Sequence, residues 1–131
     1  MIDDVQNIHD ITLLIKTFER RSCLPRLVRS VRKYYSEVRT IIVDDSRNPG
    51  IIEDKYIDYH ILPYNRGISY GRNYGLRHIK TKYFLLLDDD YIFTPRTDLK
   101  KFLILIQKHN LDILAGRWIQ NGITRLTAKG L

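Results

Sequence analysis

Short, wholly apolar runs alternate along this chain with stretches in which apolar residues recur every three or four positions. The first pattern reads as a strand buried on both faces, the second as an amphipathic helix. Ile11 to Lys16 (ITLLIK), Thr40 to Val43 (TIIV) and Tyr83 to Leu87 (YFLLL) fit the strand pattern, and Tyr56 to Leu62 fits it more weakly. Leu24, Leu27, Val28, Val31 and Tyr35 share one helical face, with Arg26, Arg29, Arg32 and Lys33 opposite. Ser22 stands where a capping residue belongs, and Pro25 suits a first helical turn. Asn65 to Arg72 opens a second helix that runs to about Ile79. Leu99, Phe102, Leu103 and Ile106 mark a third, and Leu111 to Ala115 reads as a further strand.

The order β-α-β-β-α-β-α-β predicts an α/β protein, a Rossmann-like, mostly parallel, doubly wound sheet with helices on both faces. In such sheets ligands bind beyond the carboxyl ends of the strands, near a topological switch point. Three strand ends here carry polar clusters: Thr17 to Arg20, Asp44 to Ser46, and Asp88 to Asp90.

The Asp88, Asp89, Asp90 triplet ends the most apolar stretch of the chain. Like charges this close repel, and burial adds a desolvation cost. A divalent cation such as Mn²⁺ or Mg²⁺ removes that penalty and shares its oxygen ligands with phosphates. The ordinary alternative is a solvated acidic turn. Asp44 or Asp45 could accept a hydrogen bond from a uracil imide N–H or a ribose hydroxyl, or could cap the following turn. Arg72 could pair with phosphate, with one of the aspartates, or with solvent. Phe18 could stack on a base or simply pack. Cys23 is the only cysteine, so no intrachain disulfide is possible, and a buried, unreactive thiol is expected. His9, His60, His78 and His109 are scattered and make no metal-ligand spacing. Dinucleotide-binding and P-loop glycine patterns are absent.

Composition narrows the partners. With 131 residues, 44% hydrophobic and 28% charged, the chain suits one globular domain. No run of 18 apolar residues predicts a membrane span, and the acidic start MIDDVQNIHD lacks the apolar core of a signal peptide. A cytoplasmic location is the expectation from this sequence. The net charge of +7, from 22 Lys and Arg against 15 Asp and Glu, suits a polyanion, an acidic membrane surface or a phosphorylated ligand. No nucleic-acid-binding signature accompanies it, so nucleic acid is not an expected partner.

Taken together, these segments resemble the nucleotide-sugar half of family 2-like glycosyltransferases of the GT-A fold. The first strand with TFER (Thr17 to Arg20), IIVDDS (Ile41 to Ser46), NRGISYGRNYGL (Asn65 to Leu76) and LLDDD (Leu86 to Asp90) are similar to that family's T-Y-N-R, V-V-D-D-G/S, N-x-G-x-x-x-A-R-N-x-G and D-x-D motifs, in the same order. TKYFLLLDDDYIFTPRTDL, from Thr81 to Leu99, and LDILAG, from Leu111 to Gly116, resemble the β-1,4-N-acetylgalactosaminyltransferase group within it. The resemblance covers roughly residues 11 to 118. Residues 1–10 would be an N-terminal extension, and 119–131 the start of an acceptor half or a tail.

The resemblance implies a UDP-sugar donor, a UDP-N-acetylhexosamine, and inverting, metal-dependent transfer to a glycan hydroxyl. Thr17, Phe18, Asp44, Asp45, Arg72, Asp88 and Asp89 would contact the nucleotide, with Asp45 on the uracil. Asp88 and Asp90 would organise the metal, although Asp89 leaves the register open by one residue. No catalytic base is identifiable, since Asp98 and Asp112 fall in a predicted helix and strand start. The chain alone is therefore expected to bind nucleotide without transferring sugar. As an incomplete domain it would also expose a sheet edge and an apolar face, with Ile104, Leu105, Ile113 and Leu114 as candidates for self-association. The alternative is a phospho-accepting, receiver-like signalling module, whose acidic pocket IIVDDS and Asp89 imitate. Against it, a full β-α unit precedes the paired acids.

Overall fold

Every residue of β1 (Ile11–Thr17) is buried, as a strand covered on both faces requires. The computed structural model describes residues 7–120 and 123–126, which divide after Asp98 into two compact units. In the first, a short 3₁₀ turn (Ile8–Asp10) leads into β1, followed by α1 (Cys23–Tyr34), β2 (Arg39–Asp44), β3 (Ile57–Ile61), α2 (Ile68–Leu76) and β4 (Tyr83–Asp88). The sheet order is β3-β2-β1-β4 with every pairing parallel. The chain runs outward from β1 to β3 and then returns to the far side of β1. That reversal puts the switch point between the carboxyl ends of β1 and β4, where α/β sheets bind ligands.

Register assigns the two faces. Leu14 pairs with Ile41 and Leu86, and Lys16 with Val43 and Asp88, so these residues share a face. Leu14, Ile41, Val43 and Leu62 form a buried cluster there, with Tyr74 and Ile79 packed against it. Gly75 brings α2 down onto this cluster, since a Cβ at that position would lie 2.4 Å from Leu14 Cδ1. Leu24 and Pro25 of α1 line one cleft with Thr17 and Asp44, which project to the other face. The doubly wound α/β expectation thus holds, with one helix on each face.

Several local expectations need correction. α2 starts at Ile68 and ends at Leu76 rather than spanning Asn65 to Ile79. Asn65 and Gly67 have φ of +56° and +95°, left-handed values that exclude a helix there. Beyond Leu76, the amides of Arg77, His78 and Ile79 bond three residues back, in tightening turns. Ser22 holds the capping position of α1 but makes no capping hydrogen bond with its side chain. Cys23, expected to be buried, is half-buried at the first turn of α1.

The second unit contains α3 (Leu99–Lys108), with Leu99 and Leu103 buried, and an antiparallel hairpin of β5 (Arg117–Gln120) and β6 (Ile123–Leu126). The strand expected over Leu111 to Ala115 does not form. Among the described residues no strand pairs with it, and Ile113 is 85% exposed. Gly116 instead lets the chain pass close to the Phe102 ring, where a Cβ would lie 2.6 Å from Cζ. The anticipated boundary at residue 118 falls inside β5. Of the four residues expected on an apolar face, Ile104 and Ile113 are exposed while Leu105 and Leu114 are half-buried. In the first unit, β4 ends the sheet order and exposes Phe84 and Leu86. Residues 1–6, 121–122 and 127–131, parts of the expected extension and tail, lie outside the described residues. Among the described residues no helix is long and apolar enough to cross a membrane.

Candidate functional site

The last two residues of β1 point to opposite faces, and each ties β1 to a different neighbouring strand end. Lys16 is only 9% exposed. Its Nζ forms an ion pair with Asp45 and donates to the Thr17 carbonyl at 3.0 Å. Thr17 Oγ1 donates to Asp89 Oδ2 at 2.8 Å. Parallel pairing of β1 with β2 and β4 brings these three strand ends level.

Asp45 is 0% exposed, and both its carboxylate oxygens are engaged. One meets Lys16 and the other accepts the Gly67 N–H at 2.8 Å. Its backbone carbonyl accepts the Asn65 amide at 2.9 Å. Burial alone would raise the Asp45 carboxyl. The Lys16 and Gly67 hydrogen bonds outweigh it and hold the group below the ordinary carboxylate range. Asp44 is buried on the opposite face, where Ser46 N–H donates to Oδ1 at 2.8 Å and the Tyr59 hydroxyl to Oδ2 at 2.5 Å. Burial and the Asp44 charge push the Tyr59 phenol far above its usual value. Thr17, Arg20, Leu24, Asp44, Ser46 and Tyr59 are among the residues lining an open cleft of about 240 Å³ on this face. Phe18 is half-buried and leans on Tyr64, ring centroids 5.7 Å apart at 43°.

The triplet after β4 separates into outward and inward acids. Asp88 and Asp90 side chains are about half exposed, whereas Asp89 is buried. Burial raises the Asp89 carboxyl, opposed by the Thr17 hydrogen bond and the Arg20 charge, while Asp90 and Asp88 push it further up. Arg20 Nη1 lies 3.3 Å from both Asp89 Oδ1 and Asp90 Oδ2. Arg72 Nη2 donates to Asp88 Oδ1 at 3.0 Å. Its Nε is buried without an acceptor among the described residues. A buried guanidinium N–H left unsatisfied is costly, and an anionic oxygen is the partner it suits.

Among the described residues no three His, Cys, Asp or Glu side chains stand close enough to form an all-protein metal site. Mg²⁺-like ions seldom need one. They take one or two carboxylates and complete the shell with water and phosphate oxygens. The outward acids Asp88 and Asp90, each already facing an arginine, fit that demand.

All the expected site residues, Thr17, Phe18, Asp44, Asp45, Arg72, Asp88, Asp89 and Asp90, lie at or just beyond strand ends or, for Arg72, at the middle of α2. The contacts differ from expectation at Asp45 and Asp89, whose carboxylates are turned to protein partners. Sequence reasoning missed Lys16 and Tyr59, and named Arg20 only within the Thr17 to Arg20 cluster, without a role of its own. For Lys16 the signal was a lysine ending an otherwise apolar strand. It also left the histidines scattered. The fold brings His60 and His78 to 4.5 Å between ring centroids, with Tyr74 OH 3.2 Å from His60 Nδ1. Burial and the neighbouring His78 lower the His60 pKa.

Residues 12–129 match the sequence model of Glycosyl transferase family 2. Beta-1,4 N-acetylgalactosaminyltransferase 2 of Mus musculus is 37% identical over 106 residues, covering 81% of this chain and 21% of that protein. Beta-1,4 N-acetylgalactosaminyltransferase 1 of Homo sapiens is 35% identical over 106 residues, covering 81% of this chain and 20% of its own length. An uncharacterized glycosyltransferase of Haemophilus influenzae is 25% identical over 109 residues, 79% of this chain and 37% of that protein. The chain thus spans about a fifth of the two mammalian relatives. With the match running through the parallel sheet and all three polar strand ends, the chain belongs to glycosyl transferase family 2.

Proposed function

We propose that this chain is the nucleotide-sugar-binding part of a metal-dependent glycosyltransferase that takes a UDP-N-acetylhexosamine and transfers the sugar, with inversion, to a glycan hydroxyl. The observation that carries this reading is Arg72, one nitrogen on Asp88 and another buried without an acceptor, at the sheet's switch point. Donor diphosphate oxygens would satisfy that free N–H. Asp88 and Asp90 would hold Mn²⁺ or Mg²⁺, which when bound supplies charge neutralisation to the departing UDP. Asp45 would accept the uracil imide N–H in exchange for the Gly67 amide, which lies on the exposed segment 63–67. Asp44 and Thr17 border the cleft on the other face, and Phe18 offers a ring beside the β1 end.

Transfer needs a base for the acceptor hydroxyl. Asp98 and Asp112 are both exposed, and neither stands at the end of a strand of the parallel sheet. This chain by itself is therefore proposed to bind donor without turnover, and to self-associate through the β4 edge with its exposed Phe84 and Leu86. Family membership removes support from the receiver-like alternative, as does the position of the paired acids after β2 rather than β1.

The test is calorimetric titration of UDP with Mn²⁺ into the wild type and the Asp88→Asn and Asp90→Asn variants. Both substitutions should abolish the metal-dependent part of the affinity. Unchanged metal dependence in both would refute the assignment.

A further inference from the structure

A lysine only 9% exposed is the last residue but one of a strand whose other residues are apolar or threonine. Burying an ammonium is expensive even when paired, and an apolar residue would fill the same space at lower cost. The surroundings show what the lysine does instead. Its stem runs directly beneath α2 at Gly71, where a Cβ would lie 2.4 Å from both Lys16 Cδ and Cε. Only glycine lets the helix come this close. The contacts then close a ring. Lys16 holds Asp45, Asp45 accepts the Gly67 N–H, and the Gly67 carbonyl accepts the Gly71 N–H at 3.1 Å. The residue after Gly71 is Arg72, and Asp88, which Arg72 meets, is the register partner of Lys16 on β4.

We propose that Lys16 is a positioning residue of the nucleotide site: its charge fixes Asp45 and the entry to α2, its stem sets the height of α2 at Gly71, and together they hold Arg72 against Asp88. The proposal rests on the nucleotide-site reading above and adds to it a residue that touches no ligand. Two different perturbations reach the same guanidinium. Lys16→Met keeps much of the stem and removes the charge. Gly71→Ala keeps the charge and drives the stem away.

The experiment is a pair of double-variant cycles read by calorimetry of UDP with Mn²⁺, together with the ¹⁵N-detected Nε–H resonance of Arg72 in ligand-free protein. Lys16→Met, Gly71→Ala and Arg72→Ala should each weaken UDP binding by about tenfold. Adding Gly71→Ala to Arg72→Ala should cause no further loss, and adding Lys16→Met should cost less than it does alone, the remainder being the freed Asp45, because residues acting through one group are not additive. The Arg72 resonance should move in both Lys16→Met and Gly71→Ala. If the losses multiply in the double variants, or the resonance stays in place in both, Lys16 is merely structural and the proposal falls. A wild type that binds no UDP defeats the nucleotide reading, while the Arg72 resonance still decides the positioning role. Should Lys16→Met fail to fold, Gly71→Ala, which retains the lysine itself, carries both readouts.

Discussion

Arg72 reaches Asp88 with one guanidinium nitrogen, Nη2 to Oδ1 at 3.0 Å, and keeps a second, Nε, buried without an acceptor among the described residues. The first contact restrains a carboxylate that would hold the metal, and the second leaves a donor for a phosphate oxygen. Lysine offers neither the fork nor the fixed plane. Arg72→Lys should therefore lower UDP affinity in Mn²⁺ by about tenfold, the value of one charge-assisted hydrogen bond. Binding of Mn²⁺ alone should hold or tighten, because Asp88 is released. Calorimetry of metal and nucleotide separately checks the split.

Asp45 makes stability depend on pH with a defined sign. Its folded pKa is lowered, net of burial, by Lys16 and Gly67. A depressed carboxyl contributes stability above its unfolded pKa, about 3.9, that is lost as pH falls through the lower folded value. Asp45→Asn should thus cost on the order of 3 kcal/mol at pH 7, the scale for breaking one side of a buried pair. The gap between variant and wild type should close as acid titrates Asp45. Urea unfolding at neutral pH and at successively lower pH follows the closing of that gap.

Tyr59 donates to the buried Asp44 beneath the cleft, and both burial and that charge oppose its ionisation. Tyr59→Phe should destabilise the fold by about 1.5–3 kcal/mol, the range for a hydrogen bond to a charged group. In the wild type, ultraviolet titration should show one phenol that ionises only on alkaline unfolding, and the variant should lack it.

Incubated with UDP-N-acetylgalactosamine, Mn²⁺ and varied glycan acceptors, the purified chain should release no UDP above the uncatalysed rate. Sizing in solution should show association, weakened by Phe84→Glu on the exposed side of β4. Metal-dependent turnover by a stable monomer would require a base among the residues already described.

The sheet was legible because its strands are short apolar runs, and β1, β2 and β4 differ from expectation by a residue or so at their ends. The acids were legible because carboxylates after apolar strands are conspicuous. The contacts between them were not, because they depend on register and on helix height. Nothing in the local pattern ITLLIK, Ile11 to Lys16, says that Lys16 faces Asp45, a relation made by parallel pairing of β1 with β2. His60 and His78 meet only because α2 packs over β3's neighbour in the sheet. Leu111 to Ala115 failed for the opposite reason. Its composition suits a strand, but a strand needs a partner, and pairing begins at Arg117.

The most direct test of the central claim is calorimetric titration of UDP and ADP into the wild-type chain, each with and without Mn²⁺. The account predicts that UDP binds in Mn²⁺, that chelating the metal removes the binding, and that ADP binds at least about tenfold more weakly, a difference of roughly 1.4 kcal/mol. Equal affinity for the two nucleotides, unaffected by metal, would contradict it.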